Sequence, residues 1–264
     1  ILTSSDPTVF DNILHSFVGI AAVQIGLTDI LKAIGLEPDY IIGHSLGELG
    51  CAYADGICDA DEMILSAYSR GMASLETEII FGSMAAVGLG YAQLKDMLPE
   101  GVEIACHNSN ESSTISGPAE NISKFVSELK EKGIFAKEVA SSNIPYHSSY
   151  IKDMGPKLFN SLKGILKTKK RSNKWISSSV PQSLWQTENC MNSSAEYHTN
   201  NLVSPVLFEE ACQHLPADAL MIEVAPHGLM QAILKRAMKE SVNISLTQRE
   251  NKSSDQFLLS ALGK

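Results

Sequence analysis

The stretch Ile41-Ile42-Gly43-His44-Ser45-Leu46-Gly47-Glu48 joins a short apolar segment to a helix-forming one. Within it, Gly-x-Ser-x-Gly is the pattern of a nucleophile elbow, in which a strand turns sharply into a helix and exposes a serine hydroxyl. Gly43 and Gly47 lack a Cβ atom, so strand and helix can approach closely around Ser45. The amides at the helix start would favour an oxyanion there. The pattern predicts a nucleophilic serine, the alternative being an ordinary serine in a tight turn.

Composition narrows the class of protein. The chain has 264 residues, 44% hydrophobic and 19% charged, with a net charge of −9, which argues against nucleic-acid binding as its main role. No apolar run approaches membrane-spanning length, so we expect no membrane association. Five cysteines without metal-ligand spacing predict free thiols in a reducing compartment, hence a cytoplasmic protein without a bound metal. Because the sequence opens on Ile1 rather than Met, we expect it to be part of a longer chain.

Two patterns of secondary structure alternate along the chain. Residues 83–140 read β-α-β-β-α-β, the ferredoxin-like order. The flanking segments, 1–82 and 141–264, alternate strands and helices, which predicts a mostly parallel sheet covered by helices. We therefore predict an α/β protein with a small inserted subdomain at 83–140 and a ligand cleft between the two parts. Predicted strands lie at 39–43, 84–89, 102–107, 113–117, 134–139, 175–180, 219–224 and 243–246. Predicted helices lie at 16–34, 91–98, 120–132, 149–163, 195–200, 206–214 and 228–239, with one more that follows the elbow and ends near Asp55 and another that begins at Ala60.

A serine hydroxyl is a poor nucleophile until a base takes its proton, so a histidine must lie within hydrogen-bond reach of Ser45. His44 is next to Ser45 on the elbow, and its side chain should point elsewhere. The spacing does not choose among the remaining histidines in predicted loops, which are His107, His147, His198 and His227.

Arg70 is the second unusual residue. The helix that contains it should begin at Asp59, with Glu62 in capping-box position. Its apolar arc includes Met63, Ala67, Gly71, Ile64, Leu75 and Tyr68, with Arg70 at the margin of that arc. A guanidinium there needs partners. It forms a structural salt bridge or extends to solvent, or it faces a cleft and binds a carboxylate in two places.

A basic run interrupts the otherwise acidic chain. Such a run is a solvated loop or a docking patch for an acidic partner. Its residues are Lys167, Lys169, Lys170, Arg171 and Lys174.

Motifs spread over nearly the whole chain make it resemble the malonyl/acetyl transferase domain of animal-type (type I) fatty acid synthase. This likeness is more specific than the elbow alone, because it extends nearly from end to end. The motifs are Gly43-His44-Ser45-Leu46-Gly47-Glu48, Tyr53-Ala54-Asp55-Gly56, Tyr68-Ser69-Arg70-Gly71, Ala105-Cys106-His107-Asn108-Ser109, Ile115-Ser116-Gly117-Pro118, Phe135-Ala136-Lys137-Glu138-Val139, Tyr146-His147-Ser148, Asn200-Asn201-Leu202-Val203-Ser204-Pro205-Val206 and Ala225-Pro226-His227.

The resemblance implies an α/β-hydrolase-like large subdomain with a ferredoxin-like small one, and it assigns roles. His147 takes the position of the catalytic base. The backbone carbonyl of Asn201 should orient its ring, which makes a Ser–His dyad without an acid. Leu46 should supply an oxyanion N–H, and Arg70 should bind the malonyl carboxylate.

Further substrate contacts follow from the same likeness. Arg236 matches a position that contacts coenzyme A phosphates, and Glu111 and Phe135 match positions near the acyl-CoA. Tyr146 stands in the acyl pocket, where the animal synthases commonly have Phe. The family's glycine-rich N-terminal strand, which supplies a second oxyanion amide, is absent from this sequence.

The resemblance implies transfer of malonyl or acetyl from coenzyme A, through an acyl-serine, to the phosphopantetheine thiol of acyl carrier protein in fatty acid synthesis. The coenzyme A thioesters are substrates, and no bound cofactor is expected. Acyl carrier protein and other domains of a larger synthase are the expected partners. Three alternatives stay open: a polyketide-synthase-type acyltransferase domain, a serine esterase or thioesterase, and a non-enzymatic scaffold or carrier-docking segment.

Overall fold

The computed structural model describes residues 3, 4, 6 and 8–264. The strands in this part are β1 (Ile41–Ile42), β2 (Gly82–Val87), β3 (Glu103–Ser109), β4 (Ser112–Pro118), β5 (Ala136–Val139), β6 (Lys169–Lys170), β7 (Trp175–Ile176), β8 (Asn192–Ser193), β9 (Val206–Leu207), β10 (Leu220–Glu223) and β11 (Val242–Ser245). The helices are α1 (Ile13–Ala33), α2 (Gly47–Ala54), α3 (Ala60–Glu76), α4 (Tyr91–Leu94), α5 (Ala119–Glu131), α6 (Met154–Ile165), α7 (Glu188–Met191), α8 (Ala195–Val203), α9 (Phe208–Cys212), α10 (Gln231–Ala237) and α11 (Ser254–Leu262). Short 3₁₀ turns occupy Lys95–Met97, Ser149–Ile151 and Gln182–Leu184.

Side-chain caps fix where the two longest helices begin. Asn12 Oδ1 accepts from the Leu14 amide at 2.9 Å, so α1 starts three residues before its predicted position. At α3, Asp59 Oδ1 accepts from the Glu62 amide at 2.8 Å and Glu62 Oε2 from the Asp59 amide at 3.0 Å. The predicted capping box is confirmed.

The inserted segment forms the larger sheet, with strand order β5-β2-β4-β3-β9. Its first four strands are antiparallel and follow the ferredoxin-like order, and α5 packs on one face through Ile122, Phe125 and Leu129. β9 joins the edge of this sheet parallel to β3, which ties the insert to the rest of the chain. The predicted helix over 206–214 is therefore wrong at its start, where Val206 and Leu207 pair as a strand.

The other predicted strands pair in parallel, as expected, but two by two. β1 pairs with β7, and β10 pairs with β11. These are separate two-stranded sheets, so one continuous parallel sheet is not formed by the described residues. Helix α1 packs against both pairs, through Ala21 next to β1 and through Leu27 and Leu31 next to β11. The fold class is α/β, as predicted.

Helix α1 corrects one sequence prediction. By length and composition it could cross a membrane, although no apolar run of that length was expected. Four of its apolar residues pack inside the protein: Ile13 and Phe17 belong to one core cluster, and Leu27 and Leu31 belong to the cluster that α11 closes. All five cysteines are free and buried, as the sequence analysis predicted for thiols.

Candidate active site

The turn between β1 and α2 has the strained backbone of a nucleophile elbow. Ser45 has φ 54°, a left-handed conformation uncommon for a residue with a Cβ. A Cβ on Gly43 would lie 2.5 Å from the Gly47 carbonyl carbon and 2.6 Å from the Glu48 nitrogen. A Cβ on Gly47 would meet nothing within 4 Å. The close approach of strand and helix therefore depends on Gly43 alone, and the space beside Gly47 is open.

This difference predicts opposite effects of the same substitution. Gly43→Ala should lower the free energy of unfolding by about 1–3 kcal/mol, because its methyl group collides with backbone that cannot rotate away. Gly47→Ala should leave stability unchanged or raise it by up to about 1 kcal/mol, since α2 gains a better helix former. Urea unfolding of both variants tests this. Equal destabilisation by the two would contradict the assigned role of Gly43.

Ser45 and His147 are in hydrogen-bond contact, with Oγ and Nε2 2.7 Å apart. On the far side of the ring, Nδ1 lies 2.9 Å from the carbonyl oxygen of Ser204. A carbonyl only accepts, so Nδ1 must carry the hydrogen and Nε2 keeps its lone pair toward the serine. His147 is buried and has φ 58°, so both partners of the pair sit in left-handed backbone. The arrangement is that of a general base in front of a nucleophile.

The other candidate histidines lie elsewhere. His107 and His198 are not in loops, as was predicted, but on β3 and in α8. His107 Nδ1 pairs with Glu210 at 2.6 Å, and His198 Nε2 contacts Ser193 Oγ at 2.8 Å. His227 lies in the loop after β10. His44 turns away from the serine, as expected, and its Nε2 meets Asn108 Oδ1 at 2.9 Å.

The Asn201 carbonyl shares its predicted role of orienting the imidazole with the Ser204 carbonyl, which is the main partner. The carbonyl that accepts from His147 Nδ1 belongs to Ser204, and the Asn201 carbonyl acts on the ring only as a weaker influence on its pKa. Both carbonyls sit at the C-terminal end of α8, where helix carbonyls lack intrahelical donors. Asn201 also contributes its side chain, whose Oδ1 accepts from Arg70 Nη1 at 2.5 Å.

Arg70 is buried in the site, with 2% of its surface exposed. Nη2 donates to Ser45 Oγ at 3.3 Å, and the guanidinium lies 5.6 Å from the Phe17 ring centre. Nε has no acceptor, and no carboxylate pairs with Arg70 among the described residues. The structural salt bridge that the sequence left open is therefore absent from this part of the chain. A buried cation without an anion leaves room for an anionic ligand.

The buried face of α3 differs from the predicted apolar arc. Tyr68 and Leu75 were placed on that arc, yet both are exposed. The buried face instead includes a polar column one turn apart, formed by Ser66, Arg70 and Ser74. Ser74 Oγ donates to the Arg70 carbonyl at 2.9 Å, which holds that column together.

Burial sets the charge states at the site. Desolvation, with a further contribution from the charge of Arg70, lowers the pKa of His147 to about 3. Desolvation also lowers the pKa of Arg70 to about 10, which still leaves it protonated at neutral pH. The site therefore combines a neutral imidazole with a cationic guanidinium on either side of one hydroxyl.

Tyr146 and Leu46 lie beside the dyad. The Tyr146 hydroxyl donates to Ser74 Oγ at 2.9 Å, and burial raises its pKa to about 12. Leu46 is the N-terminal capping residue of α2, so its backbone N–H is one of the amides at the helix start that lack an intrahelical acceptor.

The three remaining predicted substrate residues lie on the surface and make no hydrogen bond to the dyad. Lys239 Nζ pairs with Glu111 at 2.8 Å, and this hydrogen bond, with the charges of Lys239 and Arg236, lowers the pKa of Glu111. Phe135 is 59% exposed, and its carbonyl accepts from the Gly88 amide at 2.8 Å. Lys239, three residues after Arg236, was not among the residues predicted from the sequence.

Two residues of the basic run make hydrogen bonds within the protein. Arg171 lies 4.8 Å from the Trp175 ring centre and 5.0 Å from that of Tyr197, and it donates to the carbonyls of Cys190 and Trp175. Lys169 Nζ donates to the Ile57 carbonyl. The exposed remainder of the run is Lys167, Lys170 and Lys174.

Comparisons with known proteins show which family the chain belongs to. Residues 1–261 match the family described as Acyl transferase domain. A highly reducing polyketide synthase of Fusarium sp is 33% identical over 246 residues, covering 91% of this chain and 10% of the relative. One from Alternaria alternata is 35% identical over 230 residues, covering 83% of this chain and 8% of the relative. The chain thus spans about a tenth of the curated relatives' length.

Solved structures share the fold. The acyltransferase domain from module 8 of the salinomycin polyketide synthase has a TM-score of 0.85 at 20% identity, covering 99% of this chain and 62% of that one. A malonyl CoA-acyl carrier protein transacylase from Clostridium perfringens has a TM-score of 0.80 at 22% identity, covering 99% and 83%. The relatives named are polyketide synthases, so the animal fatty acid synthase is not singled out. The chain belongs to the acyl transferase domain family and is an acyltransferase domain of the kind found in multidomain synthases.

Proposed function

We propose that this chain transfers malonyl, and also acetyl, from coenzyme A to the phosphopantetheine thiol of an acyl carrier protein, as the acyltransferase domain of a polyketide-synthase-type enzyme. One observation carries the proposal: Ser45 Oγ lies 2.7 Å from a neutral imidazole and 3.3 Å from a buried guanidinium that pairs with no carboxylate of the described residues. The first contact supports acyl-serine formation, and the second supports a substrate that brings its own carboxylate.

The dyad accounts for both halves of the reaction. His147 takes the proton of Ser45 as the oxygen attacks the thioester carbonyl, and the Leu46 amide donates to the developing oxyanion. Collapse of the tetrahedral intermediate breaks the carbon–sulfur bond, and the proton on His147 passes to the departing thiolate. In the second half His147 takes the proton of the carrier thiol, whose sulfur attacks the acyl-serine and restores the Ser45 hydroxyl.

Arg70 gives malonyl its advantage over acetyl in this proposal. Nε and Nη2, the nitrogen nearest to Ser45, would each donate to one carboxylate oxygen. Two parallel hydrogen bonds of this kind are the geometry in which a guanidinium binds a carboxylate best. Hydrogen bonds between charged groups are worth about 1.5–3 kcal/mol each, so a carboxylated acyl group would be selected. Tyr146 would bound the acyl pocket next to this fork.

The coenzyme A nucleotide would bind outside the dyad, where Arg236 and Lys239 offer two cations to its phosphates beside Glu111. Phe135 would cover part of the pantetheine path from the edge of the small subdomain. We take that subdomain as 83–140 and the larger one as 1–82 with 141–264. The acyl carrier protein and the other synthase domains are partners in the same proposal.

The synthase that contains the domain has two candidate products. The named relatives favour polyketide synthesis, whereas the motifs from Gly43-His44-Ser45 to Ala225-Pro226-His227 resemble those of animal fatty acid synthase. The transfer step is the same in both. Hydrolysis is less well supported, because His147 is oriented by a backbone carbonyl, whereas an α/β hydrolase uses an acidic residue that precedes its histidine.

Trapping the acyl-enzyme tests the proposal. After brief incubation of the protein with malonyl-CoA, mass spectrometry of the peptide that contains Ser45 should show one added malonyl group, and Ser45→Ala should show none. Adding a phosphopantetheine thiol should move the group to that thiol faster than to water. No adduct on Ser45 in the folded protein would end the proposal, and release mainly to water would favour a hydrolase.

A further inference from the structure

A fully buried carboxyl group, Glu48, stands directly behind the elbow. It is 0% exposed and lies three residues after Ser45 in α2. Its Oε1 contacts the Ser178 amide at 2.7 Å and Ser178 Oγ at 2.8 Å. Its Oε2 contacts Trp175 Nε1 at 2.8 Å and the Tyr197 hydroxyl at 2.7 Å. The proposed acyl transfer makes no use of this group.

The single hydroxyl hydrogen of Ser178 bears on the protonation of Glu48, because two oxygen atoms lie within hydrogen-bond distance of that hydroxyl. Ser178 Oγ is 2.6 Å from the Gly43 carbonyl oxygen as well as 2.8 Å from Glu48 Oε1. A carbonyl oxygen cannot donate, so the single hydroxyl hydrogen of Ser178 must point to Gly43. The contact with Glu48 then needs a hydrogen from the carboxyl group itself. If Glu48 were ionised, Ser178 would have one hydroxyl hydrogen for two acceptor oxygens, and one of the two contacts would bring oxygen atoms together without a hydrogen bond.

The same carboxyl group ties the nucleophile to the base. Through Ser178 it reaches the Gly43 carbonyl, at the start of the turn that holds Ser45. Through Tyr197 it reaches α8, whose C-terminal end carries Asn201 and the Ser204 carbonyl that bonds His147. A shift of either contact would change the distance between the serine oxygen and the imidazole.

We propose that Glu48 is a neutral carboxylic acid that donates to Ser178 and acts as a positioning residue for the Ser45–His147 pair. The kinetic part of this inference rests on the proposed acyl transfer, whereas the protonation state does not. Glu48 touches neither substrate nor reacting atoms, and its effect passes through Gly43 and α8.

Burial is the largest influence on the pKa of Glu48, and the groups that face it act in both directions. Burial raises the pKa of Glu48, and it also raises the pKa values of Tyr197, Cys51 and Cys190, so these neighbours bring no negative charge. The hydrogen bonds from Tyr197 and Ser178 act the other way, as does the charge of Arg171, because each favours the carboxylate. The Arg171 guanidinium lies against the Trp175 and Tyr197 rings and donates to backbone carbonyls and to Cys190 Sγ rather than to Glu48.

Infrared difference spectroscopy reads the protonation state without any substrate. The spectrum of the wild-type protein minus that of Glu48→Gln at neutral pH should show the C=O stretch of a protonated carboxylic acid. The matched control is Glu131→Gln, which removes an exposed carboxyl group at the end of α5 and should change only carboxylate bands. A Glu48→Gln difference spectrum that contains only carboxylate bands would overturn the proposal.

Kinetics test the positioning role. Glu48→Gln keeps a neutral group that can donate to Ser178 Oγ, although its nitrogen cannot accept from the Ser178 amide as Oε1 does at 2.7 Å. It should therefore slow acyl-serine formation much less than Glu48→Ala, and Glu131→Gln should leave the rate unchanged. Glu48→Ala should slow acyl-serine formation by about 10²-fold, the effect of a misplaced reacting group. A loss of rate in folded Glu48→Gln as large as that of Glu48→Ala would contradict the proposal. If the wild-type protein forms no acyl-serine, the proposed function fails while the infrared result still decides the protonation state.

Discussion

Replacing His147 by asparagine is expected to slow formation of the malonyl-serine by about 10²–10⁴-fold, the usual contribution of a positioned general base. Asparagine tolerates the left-handed backbone at this position better than other residues, so the loss should come from the missing base rather than from strain. No other histidine among the described residues contacts Ser45. Single-turnover labelling of the Ser45 peptide measures the rate, and urea unfolding of the same samples checks that the variant is folded.

The control is His214→Asn, which removes a histidine that lies against Trp185, away from the dyad. It should leave the acylation rate unchanged. If both variants lose the same fraction of the rate, or if His147→Asn keeps it, His147 is not the base.

Wild-type acylation should also lack the acid limb usual for a histidine-dependent enzyme. Because the pKa of His147 is lowered to about 3, its imidazole stays neutral, and therefore basic, as pH falls from 8 to 5. Stability should behave differently: the unfolded chain takes up a proton near pH 6.5 and the folded one does not, so the free energy of unfolding falls below that pH. An acid limb centred near 6.5, measured where the protein is still folded, would show that His147 is less desolvated than this.

Features that depend on residues close together in the chain were predicted correctly. Three such features are present in the structure: the elbow, the capping box at Asp59 and Glu62, and the β-α-β-β-α-β order of the insert. Strand ends were less predictable. The predicted strand at 175–180 pairs only over Trp175–Ile176, because the serines that follow bond to Glu48 and Leu207 instead.

Contacts between distant segments set the rest of the site. The choice of His147 among the loop candidates came from the family resemblance, since nothing in its spacing from Ser45 distinguishes it. Whether the carbonyl of Asn201 or of Ser204 meets the imidazole depends on where α8 ends. That Arg70 is buried while Tyr68 is exposed depends on what α6 and α8 place against α3. Such facts require the packed structure.

Replacing Arg70 by methionine is expected to lower malonyl transfer to Ser45 by about 10²–10³-fold and to leave acetyl transfer near the wild-type rate. Methionine keeps an apolar stem against Phe17 but removes the charge. Truncating one member of a buried charge pair costs about 2–5 kcal/mol, and only malonyl completes that pair. The two thioesters should be compared in one reaction, with each acyl-serine quantified on the Ser45 peptide. Equal loss with both would mean that Arg70 is structural.

A second variant leaves Arg70 in place and pairs its charge inside the protein. Asn201→Asp keeps the size of the side chain and places a carboxylate where Oδ1 now accepts from Nη1 at 2.5 Å. That anion would satisfy the guanidinium inside the protein, so the malonyl carboxylate would meet a cation already paired and transfer of malonyl should fall selectively. Arg70 and the Ser45–His147 pair are unchanged in this variant, and we expect it to keep the fold. Unchanged malonyl preference would therefore show that the substrate carboxylate binds somewhere other than Arg70.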